Sequence, residues 1–256
     1  MDRLTDDRDW NLAVNALDHL GLDLTAYKRP QLERRLNSFM QREGFPDIES
    51  LIGAVQREPA LYRQFHSYLT IHVTDFFRDT QYWDYWRNSI QDPQQRHWRV
   101  WSAGCSWGAE PLTAALILQE LGIQYDIIAT DSDDTVLDQA RRKLFSQDNY
   151  VKIPQAYQRY FYRQGLDWSV IPLDGGTISY RRHDVTQEAL PGPFDAIICR
   201  NVIIYFEMPV RHRILNDFSH ALRPGGILFL GATETFLEYS QLGFEAIAPS
   251  IFKKIS

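Results

Sequence analysis

The residues best placed to do chemistry stand in Arg99-Val100-Trp101-Ser102-Ala103-Gly104-Cys105-Ser106-Trp107-Gly108-Ala109-Glu110-Pro111, which continues into a helical Leu112 to Leu121. A β-branched and aromatic strand passes into a small-residue turn with Gly104 and Gly108, and Pro111 lies near the first helical turn. Two glycines let the backbone approach a ligand closely. The helix start offers free N–H groups above the strand's carboxyl end.

Three ligand classes use such a turn. A phosphate or dinucleotide fits poorly, because the glycines are four apart, no third follows, and Glu110 puts negative charge where a pyrophosphate would sit. A hydrolase nucleophile elbow is spelled by Gly104-Cys105-Ser106-Trp107-Gly108, yet no strand is visible upstream of Trp98, where that fold places several. The third is S-adenosylmethionine, a nucleoside carrying an amino acid and a sulfonium, which calls for small residues and acids. The next strand favours the third class. Tyr125 to Thr130 ends in Asp131, 23 positions after Gly108, where a Rossmann-like unit places the acid that accepts both ribose hydroxyls. Capping of the following helix is already covered by Ser132, Asp133 and Asp134.

The elements that position these residues follow from pattern. Helix Asp134 to Lys143 succeeds the second strand, and Pro154 to Phe161 reads as one short helix. Trp168 to Ile171 and Thr177 to Tyr180, around Asp174-Gly175-Gly176, read as a β-hairpin. Asp184 lies just past a strand, as an adenine-amine acceptor or a loop carboxylate in water. Pro193 to Phe206 is a buried strand with Asn201 and Tyr205 at its polar end, beside the first strand's carboxyl end. Helix Pro209 to Leu222, the turn Arg223-Pro224-Gly225-Gly226 and strand Ile227 to Leu230 complete the parallel part. Glu245 to Ala248 and Ile251 to Lys254 add an antiparallel pair.

Residues up to about Asn88 read as helical, and polar Gln91 to Gln95, centred on Pro93, mark a boundary. Leu32, Leu36, Phe39 and Met40 form one helical face ended by Gly44. From Lys28 to Glu43 there are five basic and two acidic residues, so Arg34, Arg35 and Arg42 form either a solvated face or a docking surface. A second amphipathic stretch, Leu61 to Leu69, leads to Thr74-Asp75-Phe76-Phe77-Arg78, where Arg78 reads on spacing alone as a surface ion-pair former. The 256 residues, 44% hydrophobic and 13% aromatic, suffice for one large or two small domains. No signal peptide or membrane span is visible, and the net charge of −6 argues against nucleic acid. Cys105 and Cys199 form no metal or disulfide pattern, which fits a reducing cytoplasm.

Taken together, Thr74-Asp75-Phe76-Phe77-Arg78, the Trp-Ser-Ala-Gly-Cys-Ser turn, Ala129-Thr130-Asp131, Cys199 to Phe206, and Arg223-Pro224-Gly225-Gly226 through Gly231-Ala232-Thr233-Glu234 resemble the CheR family. Tyr27-Lys28 and Arg34-Arg35-Leu36 extend the similarity over nearly the whole chain. The resemblance implies an α/β fold: a Rossmann-like S-adenosylmethionine-dependent methyltransferase domain (96–256) after an N-terminal helical, receptor-docking domain (1–90), with a small antiparallel β-subdomain inserted at about 165–182. It implies methyl transfer from S-adenosylmethionine to glutamates on the cytoplasmic helices of chemoreceptors, giving methyl esters and S-adenosylhomocysteine, by a cytoplasmic monomer without metal. By motif position, His72, Thr74, Arg78, Gly104, Glu110, Asp131, Asp184, Val185, Asn201 and Val202 hold the cofactor. Arg78 and Tyr205 orient the reacting groups, and Arg34, Arg35 and Arg42 meet the receptor. Relatives carry Asn at His72, Thr-Gly-Glu-Glu-Pro-Tyr at Trp107 to Leu112, and Asn-Leu at Asp184-Val185. Two other readings stand beside it: a non-catalytic S-adenosylmethionine-binding adaptor, and a Ser106 hydrolase.

Overall fold

The computed structural model describes residues 7–90, 97–187, 190–234 and 238–255. Gln91 to Gln95, read as a boundary, lies outside them. Among the described residues no helix is long and apolar enough to cross a membrane. Two compact units emerge, one of residues up to Ile71 with Tyr205–Arg211, the other of His72–Ile204 with the chain from His212 onward.

The helical unit holds α1 (Asp7–Asp18), α2 (Arg29–Glu43), α3 (Ile48–Arg57) and α4 (Pro59–Leu69). The face read from periodicity, Leu32, Leu36, Phe39 and Met40, is buried with Leu17, Ile48, Leu51 and Phe65. Gly44 ends α2 at φ 81° with its N–H on the Met40 carbonyl, a left-handed cap that suits glycine. Residues 205–211 join this unit through backbone bonds Lys28 N–H to Tyr205 O (2.9 Å) and Glu207 N–H to Ala26 O (3.0 Å). The Tyr27 and Phe206 rings meet edge to face at 4.9 Å.

The second unit begins with α5 (Thr80–Ser89), β1 (His97–Ala103), α6 (Ala109–Glu120), β2 (Gln124–Asp131) and α7 (Asp134–Arg142). An insertion follows, with β3 (Leu144–Phe145), α8 (Gln147–Tyr150), α9 (Gln155–Gln158), β4 (Phe161–Gln164) and β5 (Asp167–Val170). The chain then returns through β6 (Gly176–Arg182), β7 (Phe194–Cys199), α10 (Met208–Ala221), β8 (Leu222–Leu230), β9 (Phe244–Ala248) and β10 (Ile251–Lys254). The sheet order is β6-β2-β1-β7-β8-β10-β9, parallel except where β10 and β9 run antiparallel at the edge. Strand order reverses between β1 and β7, so their carboxyl ends border the crevice where open α/β sheets bind ligands.

Readings of the insertion and of the domain boundary need correction. The hairpin of Trp168–Ile171 with Thr177–Tyr180 does not form. β5 instead pairs with β4 across Gly165-Leu166, with Gly165 at φ 65°, and with β3 on its other side. β6 runs parallel to β2 in the main sheet. Gly175 and Gly176 serve close approach rather than a hairpin: a Cβ at Gly176 would lie 1.7 Å from the Tyr125 carbonyl. The inserted sheet therefore spans 144–170 rather than 165–182, and Phe161 belongs to β4, not to a helix from Pro154.

The other correction concerns the domain boundary, which falls at Ile71/His72 rather than near residue 90. Helix α5 packs with the sheet because its two tryptophans have nowhere else to bury. Trp83 sits edge-on to Phe229 at 5.1 Å, and Trp86 stacks on the same ring at 6.4 Å and meets Trp98 edge to face. Replacing Trp86 by alanine should therefore destabilise the sheet unit by about 3–5 kcal/mol in urea unfolding, the usual cost of emptying a buried aromatic site.

Candidate functional site at the carboxyl edge of the sheet

Three loops leave neighbouring strand tips. After β1, the N–H groups of Gly104 and Cys105 both bond to the Thr130 carbonyl at 2.8 Å, which ties the turn to β2. Gly104 lies at φ 80°, and a Cβ there would reach Val202 Cγ2 at 2.4 Å. The residue thus brings the β1 and β7 loops together. Gly108 also has positive φ, but what comes close is Ala140 and the Tyr180 hydroxyl, 3.0 and 3.2 Å from a Cβ. Both glycines make room for protein neighbours.

Asp131 ends β2 and is 7% exposed. Its Oδ2 accepts the Ser106 N–H (2.9 Å) and its Oδ1 the Asp133 N–H (3.1 Å). About two of the four lone-pair positions on this carboxylate remain for a ligand. Capping of α7 falls to Asp133, which accepts the Thr135 N–H. Burial raises the Asp131 pKa, against the pull of the His72 charge and the two N–H donors.

Glu110 lies in the first turn of α6, 7% exposed, with its Oε1 accepting the Ser102 hydroxyl at 2.7 Å. Burial pushes its pKa up to about 7, while Arg200, the Ser102 hydroxyl and Arg78 act in the other direction. Glu234 raises it further by like charge. Burial thus favours the neutral form of this carboxyl, and a positive charge placed beside it would favour the ionised one.

The β7 loop carries the third group. Arg200 is buried, its guanidinium 4.8 Å from the Phe229 ring and 5.4 Å from Trp83, with Nη2 donating to Asp79 Oδ2 at 3.1 Å. Burial lowers its pKa and the neighbouring Glu110 and Asp79 oppose that. Asn201 sits at φ 61°, and its Oδ1 is buried without a hydrogen-bond partner among the described residues. An orphaned acceptor of this kind calls for a donor from a ligand. The Glu234 carboxylate accepts the N–H groups of Asn201, Val202 and Ile203, each at 2.9 Å.

The other predicted residues are distributed as follows. Arg78 Nη1 donates to the Val73 carbonyl at 2.7 Å, and its charge reaches Glu110. Thr74 and Val185 are half-buried. His72 Nε2 is 3.0 Å from Asp133 Oδ2. Asp184 Oδ1 accepts both the N–H and the hydroxyl of Thr186, so only Oδ2 is left for an amine. Tyr205 falls in the helical unit, with its carbonyl on Lys28. In that unit Arg35 donates to the Tyr68 and Thr70 carbonyls at the end of α4, a supporting contact. Arg34 is exposed, and Arg42 is exposed and lies 4.3 Å over the Tyr68 ring.

Ser106 has the left-handed backbone of an elbow, φ 50°, but its hydroxyl donates to the His72 carbonyl at 3.3 Å rather than to an imidazole nitrogen. No activated nucleophile results. Trp107 packs edge-on against Phe76 at 5.5 Å and beside Phe145, so its indole joins the aromatic contacts of the insertion. Sequence reasoning passed over Arg200, Glu234 and Ser102. The polar residues just past two buried strands, Arg200 and Glu234, were the available signal.

A mainly parallel sheet with acids and an amide gathered at the carboxyl edge of its central strands is a Rossmann-like fold of the kind that binds ligands at that edge. Residues 72–249 match the family described as CheR methyltransferase, SAM binding domain, and residues 15–70 match CheR methyltransferase, all-alpha domain. A chemotaxis protein methyltransferase of Listeria innocua is 32% identical over 235 residues, 89% of this chain and 90% of that protein. Another, of Borreliella burgdorferi, is 28% identical over 98% of this chain and 95% of its own length, and that of Escherichia coli K12 is 31% identical over 84% and 80%. The chain belongs to the CheR methyltransferase family.

Since Glu110 titrates higher in the folded protein (about 7) than its ordinary 4.5, the protonated form stabilises the fold fully below about pH 4.5. That contribution disappears as pH rises through about 7. Relative to Glu110→Gln, which cannot ionise, the unliganded wild type should lose up to about 3 kcal/mol between pH 4.5 and pH 8, read from urea unfolding along the pH series.

Proposed function

We infer that this chain transfers a methyl group from S-adenosylmethionine to the side-chain carboxylates of glutamates on the cytoplasmic helices of chemoreceptors. The observation that carries the reading is the buried Glu110 carboxyl, together with Asn201 Oδ1, which has no hydrogen-bond partner among the described residues, and the spare acceptor positions of Asp131 at the same edge of the sheet. Those groups suit an amino-acid ammonium and the hydroxyls and amine of an adenosyl group.

S-Adenosylmethionine, when bound, supplies a sulfonium methyl group open to displacement by a carboxylate. Glu110 holds the ammonium, Asp131 the ribose hydroxyls, and Asn201 with Val202 and Gly104 line the space between. Thr74, His72, Val185 and Asp184 close the adenosyl side. Arg78 orients a carboxylate, of cofactor or substrate. No general base is required, because a glutamate with an ordinary pKa of about 4.3 is an anion at neutral pH. In-line approach of the carboxylate to the sulfonium methyl, with water kept out, would favour a step in which opposite charges cancel. Arg34 and Arg42 offer positive charge to an acidic receptor helix, which steers encounter more than it adds affinity.

Incubation with methyl-labelled S-adenosylmethionine and receptor cytoplasmic fragments should yield base-labile label on receptor glutamates. Binding of the cofactor without transfer would make the chain an adaptor instead. Asp131→Ala should weaken S-adenosylhomocysteine binding by about tenfold or more, as loss of charge-assisted acceptors does. Ser106→Ala should keep transfer activity, whereas a hydrolase would lose it. Calorimetric affinity for S-adenosylhomocysteine should rise from pH 6 to pH 8, because the ammonium favours ionised Glu110, and Glu110→Gln should flatten that rise.

A further inference from the structure

The loop after β7 has a conformation that its own residues do not favour. Asn201 lies in the left-handed region, which is strained for a non-glycine residue and persists only where its surroundings hold it, although asparagine tolerates that region better than most. What holds it is Glu234, 4% exposed. Oε2 accepts the N–H groups of Asn201 (2.9 Å) and Gly231 (2.6 Å), and Oε1 those of Val202 and Ile203 (both 2.9 Å). Four donors converge on two oxygens, an arrangement that only an acceptor-only carboxylate can satisfy in full. The Glu234 N–H in turn bonds to the Gly231 carbonyl at 3.0 Å, which fixes the turn carrying the acid. Gly231 must lack a side chain for this, since a Cβ would stand 2.8 Å from both the Asn201 nitrogen and Glu234 Oε2.

Hydrogen bonds to a charged partner are stronger than neutral ones, so three of them to Asn201, Val202 and Ile203 offset the backbone cost of the bent loop. The bend leaves Asn201 Oδ1 buried with no donor among the described residues. We propose that Glu234 is a positioning residue for the cofactor: its carboxylate grips the Asn201–Ile203 backbone before any ligand arrives and keeps the Asn201 amide aimed at an adenosyl donor. The inference rests on the reading that Asn201 lines the S-adenosylmethionine site. Glu234 acts through the loop and touches neither methyl donor nor glutamate.

Calorimetric titration of S-adenosylhomocysteine into the full chain tests this, using Glu234→Gln, Asn201→Ala and the double variant. Glutamine places an N–H₂ group where an oxygen now receives backbone donors. Glu234→Gln should weaken binding about tenfold or more, but less than about threefold when introduced into Asn201→Ala, because the amide it positions is then gone. In methyl transfer its KM for S-adenosylmethionine should rise more than its kcat falls. Equal losses in both backgrounds would overturn the positioning role while leaving the cofactor site standing. An Asn201→Ala protein of wild-type affinity would overturn the site reading and the proposal with it. Should Glu234→Gln fail to fold, amide exchange of the unliganded wild type decides: slow exchange at Asn201, Val202 and Ile203 supports a loop held in advance, and fast exchange there overturns it.

Discussion

Buried carboxylates that accept backbone N–H groups hold the ligand edge of this sheet in shape. Asp131, at the tip of β2, takes the Ser106 N–H from the loop after β1. Glu234, beyond β8, takes three successive N–H groups from the loop after β7. In each case a loop is braced by an acid that follows the adjacent strand. Parallel order brings that neighbour alongside, since β2 flanks β1 and β8 flanks β7. Loops at strand ends expose backbone donors that need partners when buried, and a carboxylate meets several at once.

The same edge carries charges that do not cancel. Glu110, Glu234 and Asp131 are buried acids, and Arg200 is a buried cation shared between aromatic faces and Asp79. Removal from water penalises each charged form, and Asn201 Oδ1 has no hydrogen-bond partner among the described residues. A cofactor that is cationic at one end and rich in hydroxyl and amine donors at the other answers both. The protein accepts strained backbone and buried charge here, while the helical unit shows ordinary amphipathic packing.

Much of the architecture was legible from pattern. The α2 face of Leu32, Leu36, Phe39 and Met40, the strand–turn–helix around Gly104, the β2 strand ending in Asp131, and the antiparallel pair β9 and β10 all follow periodicity and turn chemistry that act within a few residues. Misreadings came where one residue type serves two physical ends. Gly175-Gly176 signals a tight turn, yet the glycines let β6 enter the sheet against the Tyr125 carbonyl. Trp83 and Trp86 look like part of a helical domain, and only the Phe229 ring, over 140 positions away, decides where they bury.

Local residue chemistry determined most of the stretches that become helix or strand, and it put Glu110 in the first turn of a helix and Asp131 and Asn201 at or just past strand ends, because capping, alternation and β-branching act over short distances along the chain. The resemblance of the motifs supplied the family. Tertiary structure alone decided which acids serve the backbone and which remain open to a ligand. Glu234 grips a loop 33 positions earlier, Asp184 spends one oxygen on Thr186, and Ser106 turns its hydroxyl to a carbonyl. Such partnerships depend on sheet order and burial, which bring distant chain segments to one edge and set the dielectric around them, and no spacing rule along the chain carries that information.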